Sequence, residues 1–154
     1  MNVLMKFTGK TLSVILFMLF AFSIQLFAQS EGNPNDESAI KKVIQSAYID
    51  GIHNLGAIQD IQDGFHPGFE LLIKTQDQKL TELPIYTWIE SVEQRKAQNP
   101  NGPEEKTTVE FLDVDVTGDA AMAKIDLFKG GNKIFTDYLF LYKFNNDWRI
   151  VSKI

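Results

Sequence analysis

Asp137 interrupts one of the most apolar stretches of the chain, KIFTDYLFLYKF, which runs from Lys133 to Phe144. Strand side chains alternate between two faces. Ile134, Tyr138, Phe140, Tyr142 and Phe144 therefore share one face, and Phe135, Asp137, Leu139 and Leu141 share the other. A buried carboxylate is costly unless it is paired or hydrogen-bonded. Either a donor waits for Asp137, or its face opens onto water. The reading adopted here is the wet face, with Asp137 as a general base or as an anchor for a ligand N–H. The alternative is a structural carboxylate held by a nearby backbone, tyrosine or tryptophan donor.

Two more residues have side chains suited to the same chemistry. His66 precedes Pro67 and would serve as an acid–base partner, or else simply pack a turn. Tyr48 would present its hydroxyl to a carbonyl or oxyanion, or else be a core tyrosine with a wet tip. Asp137, His66 and Tyr48 thus form the candidate catalytic set. Candidate ligand-binding residues are Trp88, which can stack on a flat ligand, and Tyr138, Lys124, Lys153 and His53. Each has a plainer role available. Trp88 can be core. Lys124 can form a solvated pair with Asp126, and Lys153 can be a surface lysine. His53 falls at a helix end, where a cation suits the helix dipole and its ring would point away from the apolar stripe.

Several chemistries are excluded outright. The chain has no cysteine, so thiol catalysis, iron–sulfur clusters, cysteine zinc sites and a lipoprotein anchor are impossible. His53 and His66 are its two histidines, without H-x-x-x-H or H-E-x-x-H spacing, so there is no zinc signature. There is no G-x-S-x-G elbow, no phosphate-binding loop and no dinucleotide fingerprint. No cofactor is called for.

The elements that must position these residues begin after an expected targeting segment, residues 1–28. Lys6 and Lys10 make its basic region, and an apolar stretch from Leu12 to Phe27 follows, with Val14 to Phe22 unbroken. Cleavage after Ala28 is expected, although Leu26 is larger than the small residue preferred there. The alternative is a retained anchor, but a spanning helix needs about 20 apolar residues. The reading is therefore an exported, periplasmic or secreted bacterial protein with no stable membrane span. The remaining 126 residues carry 13 basic and 20 acidic side chains, a net charge of −7. Such an acidic domain is a poor partner for nucleic acid or anionic lipid. Its length suits a single domain with a real core.

Residues 29–36 read as a flexible leader, and residues 37–154 as the domain. A helix capped by Asn35 or Asp36 would carry Ile40, Val43, Ile44, Ala47, Tyr48, Gly51 and Ile52 as one stripe and stop near His53. A short helix from Leu55 to Asp63 follows, with Gly64 as its C-terminal cap. Phe69–Thr75 and Leu80–Leu83 read as strands. A third helix starts at Pro84 and buries Ile85, Trp88, Ile89 and Val92. Four strands then follow, 107–116, 120–129, 133–145 and 148–154. Their connectors TGD, GGN and NND predict tight hairpins and an antiparallel meander. Helices first and a long antiparallel sheet after is an α+β pattern. One sheet face can be covered by the helices. The other, carrying Tyr138 to Phe144, calls for a second copy in a two-fold dimer, or for the chain's own loops.

AYIDGIHN (Ala47–Asn54), FHP (Phe65–Pro67), ELPIYTWIESV (Glu82–Val92), GDAAMAKID (Gly118–Asp126), FTDYLFLYK (Phe135–Lys143) and WRIVSKI (Trp148–Ile154) occur in an order that resembles the nuclear transport factor 2-like superfamily. More narrowly, the chain is similar to the bacterial group named "putative lumazine-binding". The resemblance implies a cystatin-like cone, a curved antiparallel sheet wrapped around three helices, with a cavity at its wide end. It departs from the group at Gly68, where an acidic residue usually follows FHP, and at Ile154, where the last strand usually continues to an aromatic residue. The functional expectation is a small-molecule-binding domain with a cavity lined by Tyr48, His66, Trp88 and Asp137. Alternatives are a cofactor-free isomerase, cyclase or dehydratase, or a non-catalytic dimerisation module.

Overall fold

The computed structural model describes residues 34–154; the expected targeting segment and most of the expected leader lie outside the described residues. Helix α1 runs as an α-helix over Pro34–Val43 and then, without a break, as a wider π-helical stretch over Ile44–His53. Its end is closed by the i−5 hydrogen bond from Asn54 N to Ile49 O, 2.9 Å. Next come α2 (Ile58–Gly64), β1 (Phe65–Lys74), β2 (Leu80–Pro84), α3 (Ile85–Gln98), β3 (Thr107–Thr117), β4 (Ala120–Lys129), β5 (Asn132–Phe144) and β6 (Asp147–Lys153).

The helix already begins at Pro34, so the last residues of the expected leader are helical. Asp36 lies in the first turn, where its carboxylate ties the helix to the sheet. It accepts hydrogen bonds from Lys143 Nζ (2.7 Å) and Trp148 Nε1 (3.0 Å). These two donors, Lys143 foremost, hold its pKa below the usual carboxylate range.

The six strands form one curved sheet in the order β2-β1-β6-β5-β4-β3. The β3–β6 meander turns on two-residue loops, Gly118–Asp119, Gly130–Gly131 and Asn145–Asn146. Gly130 and Gly131 both have positive φ, 57° and 76°, as a tight hairpin between right-twisted strands requires. The sheet is not purely antiparallel. β1 joins it by pairing parallel to β6, a consequence of the helices and loops that separate the two strands in sequence. Irregularities in register at Phe111/Asp113, Leu127/Phe128 and Phe140/Leu141 bend the strands inward.

The helices cover the concave face. Ile40, Ile44, Ala47, Ile49 and Ile52 pack with Ile61, Phe65, Phe69, Ile125, Leu127, Leu139, Leu141 and Ile150 in one core. Gly64 is not the C-terminal cap of α2 but its last helical residue, and close approach explains it. A Cβ there would stand 2.3 Å from Ala47 Cβ, so only glycine lets α2 cross α1 at this distance. The opposite face of the sheet is left bare. Tyr138, Phe140, Tyr142 and Phe144 line it in a row, with Phe140 41% and Tyr142 53% exposed.

Candidate functional site

Asp137 is the centre of a buried polar cluster. It is 3% exposed and accepts a hydrogen bond from Tyr48 Oη at 2.7 Å on one oxygen. Its other oxygen pairs with Lys153 Nζ at 2.9 Å. The expectation of an open, wet face at Asp137 is therefore corrected. Two donors wait for the carboxylate, and neither can be seen by reading along the strand, because Tyr48 lies on α1 and Lys153 on β6.

Lys153 reaches the cluster through a β-bulge. Trp148 and Ile150 point into the core, so regular alternation would send Ser152 inward and Lys153 outward. The pairing instead runs Leu141↔Ile150 and then Phe140↔Ser152, which leaves Val151 as an extra residue. This resets the alternation. Lys153 then stands opposite Leu139, one diagonal step from Asp137 on the concave face, and only 8% exposed.

His53 joins through the other irregularity. In an α-helix of 3.6 residues per turn, positions five apart diverge by about 140°. In a π-helix they stack, since the hydrogen bonds run i to i+5. The rings of Tyr48 and His53 accordingly meet edge to face, 4.8 Å between centroids. His53 is thus not the solvent-facing cation expected at a helix end. Burial pushes its pKa down to about 4; Asp137 opposes that, while Lys153, Arg95 and Lys129 add to it. The imidazole is neutral at pH 7, and its Nε2 is buried without a hydrogen-bond partner. From α3, Arg95 Nη2 bonds Ile52 O near the end of this stretch (3.1 Å), and Lys96 Nζ bonds Gly56 O in the loop that follows (2.6 Å).

Aromatic rings wall the cluster. Trp88 from α3 packs at 5.9 Å from Tyr48, 6.3 Å from Phe65 and 6.1 Å from Phe69. Lys153 Nζ sits 5.6 Å above the Tyr48 ring, a cation–π contact. Burial, then the Asp137 charge and hydrogen bond, drive the Tyr48 phenol far above its ordinary range, so it stays a protonated donor.

Three of the residues singled out in the sequence lie elsewhere. His66 stacks on Phe144 at 4.6 Å, on the bare face of the sheet, and its Nδ1 accepts from Gly68 N at 3.0 Å. His66 lies within β1, and alternation from Phe65 turns it to the outer face while Phe65 and Phe69 face the core. Tyr138 and Lys124 also occupy the outer face, with Lys124 Nζ 5.6 Å from the Tyr138 ring. The expected grouping of Tyr48, His66, Trp88 and Asp137 is corrected to Tyr48, Trp88 and Asp137, joined by Lys153 and His53.

Among the described residues no group of three or more His, Asp or Glu side chains is arranged to hold a metal ion. No described helix is long and apolar enough to cross a membrane.

The chain is similar to several solved structures. An NTF2-like protein of unknown function from Shewanella baltica is 23% identical, with 80% of this chain and 94% of that chain covered and a TM-score of 0.61. Another from Methylobacillus flagellatus is 23% identical, with 80% and 92% covered and a TM-score of 0.58. A protein with a cystatin-like fold from Nostoc punctiforme is 8% identical, with 80% and 91% covered and a TM-score of 0.56. At these identities the likeness is one of fold. No curated protein matches the chain. Residues 35–154, nearly everything described here, match one family throughout, and the chain belongs to that family, "Putative lumazine-binding", on an NTF2-like, cystatin-like α+β fold.

Proposed function

We propose that this protein is a small-molecule-binding domain whose ligand meets the cluster of Tyr48, Asp137, Lys153 and His53 beside Trp88. One observation carries the reading. A paired carboxylate and ammonium, a phenol and an imidazole from three distant parts of the chain converge inside an aromatic frame. Buried ion pairs are weak stability devices, since apolar residues of similar volume do as well or better. Polar groups placed at such cost suit a binding site better than a core.

The catalytic alternative has less support. Proton transfer would need Asp137 free to accept a proton, and Tyr48 and Lys153 already occupy its two oxygens. The expected acid–base partner, His66, is on the other side of the sheet.

The experiment is a thermal-unfolding titration of the purified protein with lumazine, the ligand that the family name carries. A ligand that binds only the folded state raises the midpoint in proportion to RT ln(1 + [L]/Kd). A saturable rise that Asp137→Leu abolishes supports the reading, and no rise up to millimolar lumazine counts against it. The reading includes two further expectations. The domain acts outside the cytoplasm after removal of residues 1–28, which N-terminal sequencing of the mature protein tests. It also pairs with a second copy through the bare aromatic face, which sedimentation tests.

A further inference from the structure

A cleft of about 400 Å³ lies where α1, the end of α2 and the β5–β6 hairpin meet, and none of its lining residues belongs to the cluster around Asp137. Small-molecule pockets run from about 300 to 1,000 Å³. Four charged side chains line the cleft: Lys42 from α1, Asp63 from α2, and Asp147 and Arg149 from β6. Among the described residues none of the four takes part in an ion pair, with one another or with any other group. We propose that this cleft is a second site, independent of the functional reading above, and that it binds a free α-amino acid with an apolar side chain. The carboxylate meets Lys42 and Arg149, and the ammonium group meets Asp63 and Asp147.

The charges define the class. Two cations face two anions, so a simple anion such as phosphate would be set against Asp63 and Asp147, and a diamine against Lys42 and Arg149. Like charges brought together in this way select against a ligand. A zwitterion finds a partner at each end, through charge-assisted hydrogen bonds. Ala39, Val43 and Trp148 complete the lining and give the side chain of the ligand an apolar place.

Two of the four charges are already held. Arg149 Nη1 donates to Gln62 O at 3.2 Å, which uses one of the five guanidinium N–H groups, and Asp63 Oδ1 accepts from Gln59 Nε2 at 2.9 Å. Groups fixed in advance lose less freedom when a ligand arrives. Lys42, Asp63 and Asp147 are exposed, so a small molecule reaches them without any movement of the protein.

The test is an NMR titration of the backbone amides with three probes: L-leucine, L-leucinamide, which lacks the carboxylate, and N-acetyl-L-leucine, which lacks the ammonium group. The wild type should bind leucine with a Kd of about 1 mM or tighter, and each derivative about tenfold more weakly. The amides that move should be those of the cleft, Ser46 and Arg149 among them. Lys42→Gln should lose the preference over leucinamide, and Asp147→Asn the preference over N-acetyl-leucine. Both positions are exposed and unpaired, so neither change disturbs the fold. Absence of saturable leucine binding overturns the site. So does equally tight binding of either derivative, since a single charge, such as a peptide end, would then suffice. Leucine binding that neither variant weakens overturns it as well. The lumazine titration reads the other site and is decided separately.

Discussion

Lys153 and Asp137 meet at 2.9 Å across the last hairpin, diagonal neighbours on the concave face, and both are almost fully buried. Removing one partner leaves the other charged and unpaired in the core, typically at a cost of about 3–5 kcal/mol. Asp137→Leu and Lys153→Met should each lower stability by that order in urea denaturation. The double variant should recover most of the loss, because it leaves no unpaired charge. Tyr48→Phe removes one hydrogen bond to a charged group and should cost less, about 1.5–3 kcal/mol. Double-mutant cycles would show a coupling energy well above zero between 137 and 153; additive losses would mean that the pair is not formed in solution.

Stability should fall in mild acid, and His53 sets the first part of that fall. Its folded pKa, about 4, is below the ordinary value of 6.5, so the unfolded chain binds the extra proton between these values. The contribution is complete above about pH 6.5 and is lost as pH drops toward 4. Its size is on the order of 3 kcal/mol, from a shift of about 2.5 at about 1.4 kcal/mol per pKa unit. The groups that face the ring are Tyr48 on the same helix, Asp137 on β5, Lys153 on β6, Arg95 on α3 and Lys129 on β4. Asp36 and Asp126, both with depressed pKa values, add losses of the same sign at lower pH. In His53→Phe the midpoint of unfolding should be flat between pH 6.5 and 5, where the wild type already declines.

Gly64→Ala should be among the most damaging single methyl additions in the protein. The new Cβ would fall 2.3 Å from Ala47 Cβ, so α2 must move away from α1. Overpacking of this kind costs about 1–3 kcal/mol. Ala47→Gly in the same chain vacates the contested space and should return part of the loss, less its own helix penalty of about 1 kcal/mol. A thermal melt of the three variants checks the order.

The bare face of the sheet predicts an oligomeric state. Tyr138, Phe140, Tyr142 and Phe144 form a continuous exposed row on β5, larger than isolated surface apolar residues require. Phe140→Lys places a charge in the middle of that row. It should shift the protein from dimer to monomer in sedimentation velocity while leaving the fold intact. A wild type that sediments as a monomer at tens of micromolar would remove the dimer from the account.

The hairpin chemistry of the C-terminal half was plain in the sequence, because Gly-Asp, Gly-Gly and Asn-Asn between alternating apolar runs leave few other turns. Strand ends there fall within two residues of expectation. The face of Asp137 was also legible, since alternation along β5 holds from Asp137 to Leu141. Its partners were not. Tyr48 is 89 positions away. Lys153 looks like a surface residue until the bulge at Val151 is known, and His53 looks solvent-facing until the helix widens. His66 was misplaced because the strand was expected to begin at Phe69, whereas it begins at Phe65 and alternation from there turns His66 outward. The misses at Lys153 and His53 sit at departures from ideal periodicity, where counting by 2 or 3.6 gives the wrong face.

The bulge at Val151 has a consequence for the uniqueness of the native state. Without it, β6 could seat itself one residue over, with Ser152 opposite Leu139 and Ile154 beside Asp137. That alternative keeps the turn and most ladder bonds, and it hides an isoleucine in place of a lysine stem. The salt link to Asp137 favours the observed seating, like a key that fits one notch, alongside the Ser152 Oγ–Glu70 O hydrogen bond and the pairing of β6 with β1. With methionine at 153 the key is gone, and the last strand should slip between two positions. Doubled amide cross-peaks confined to Ile150–Ile154 in Lys153→Met would reveal the slip, and a single sharp set would show that the bulge holds its place unaided.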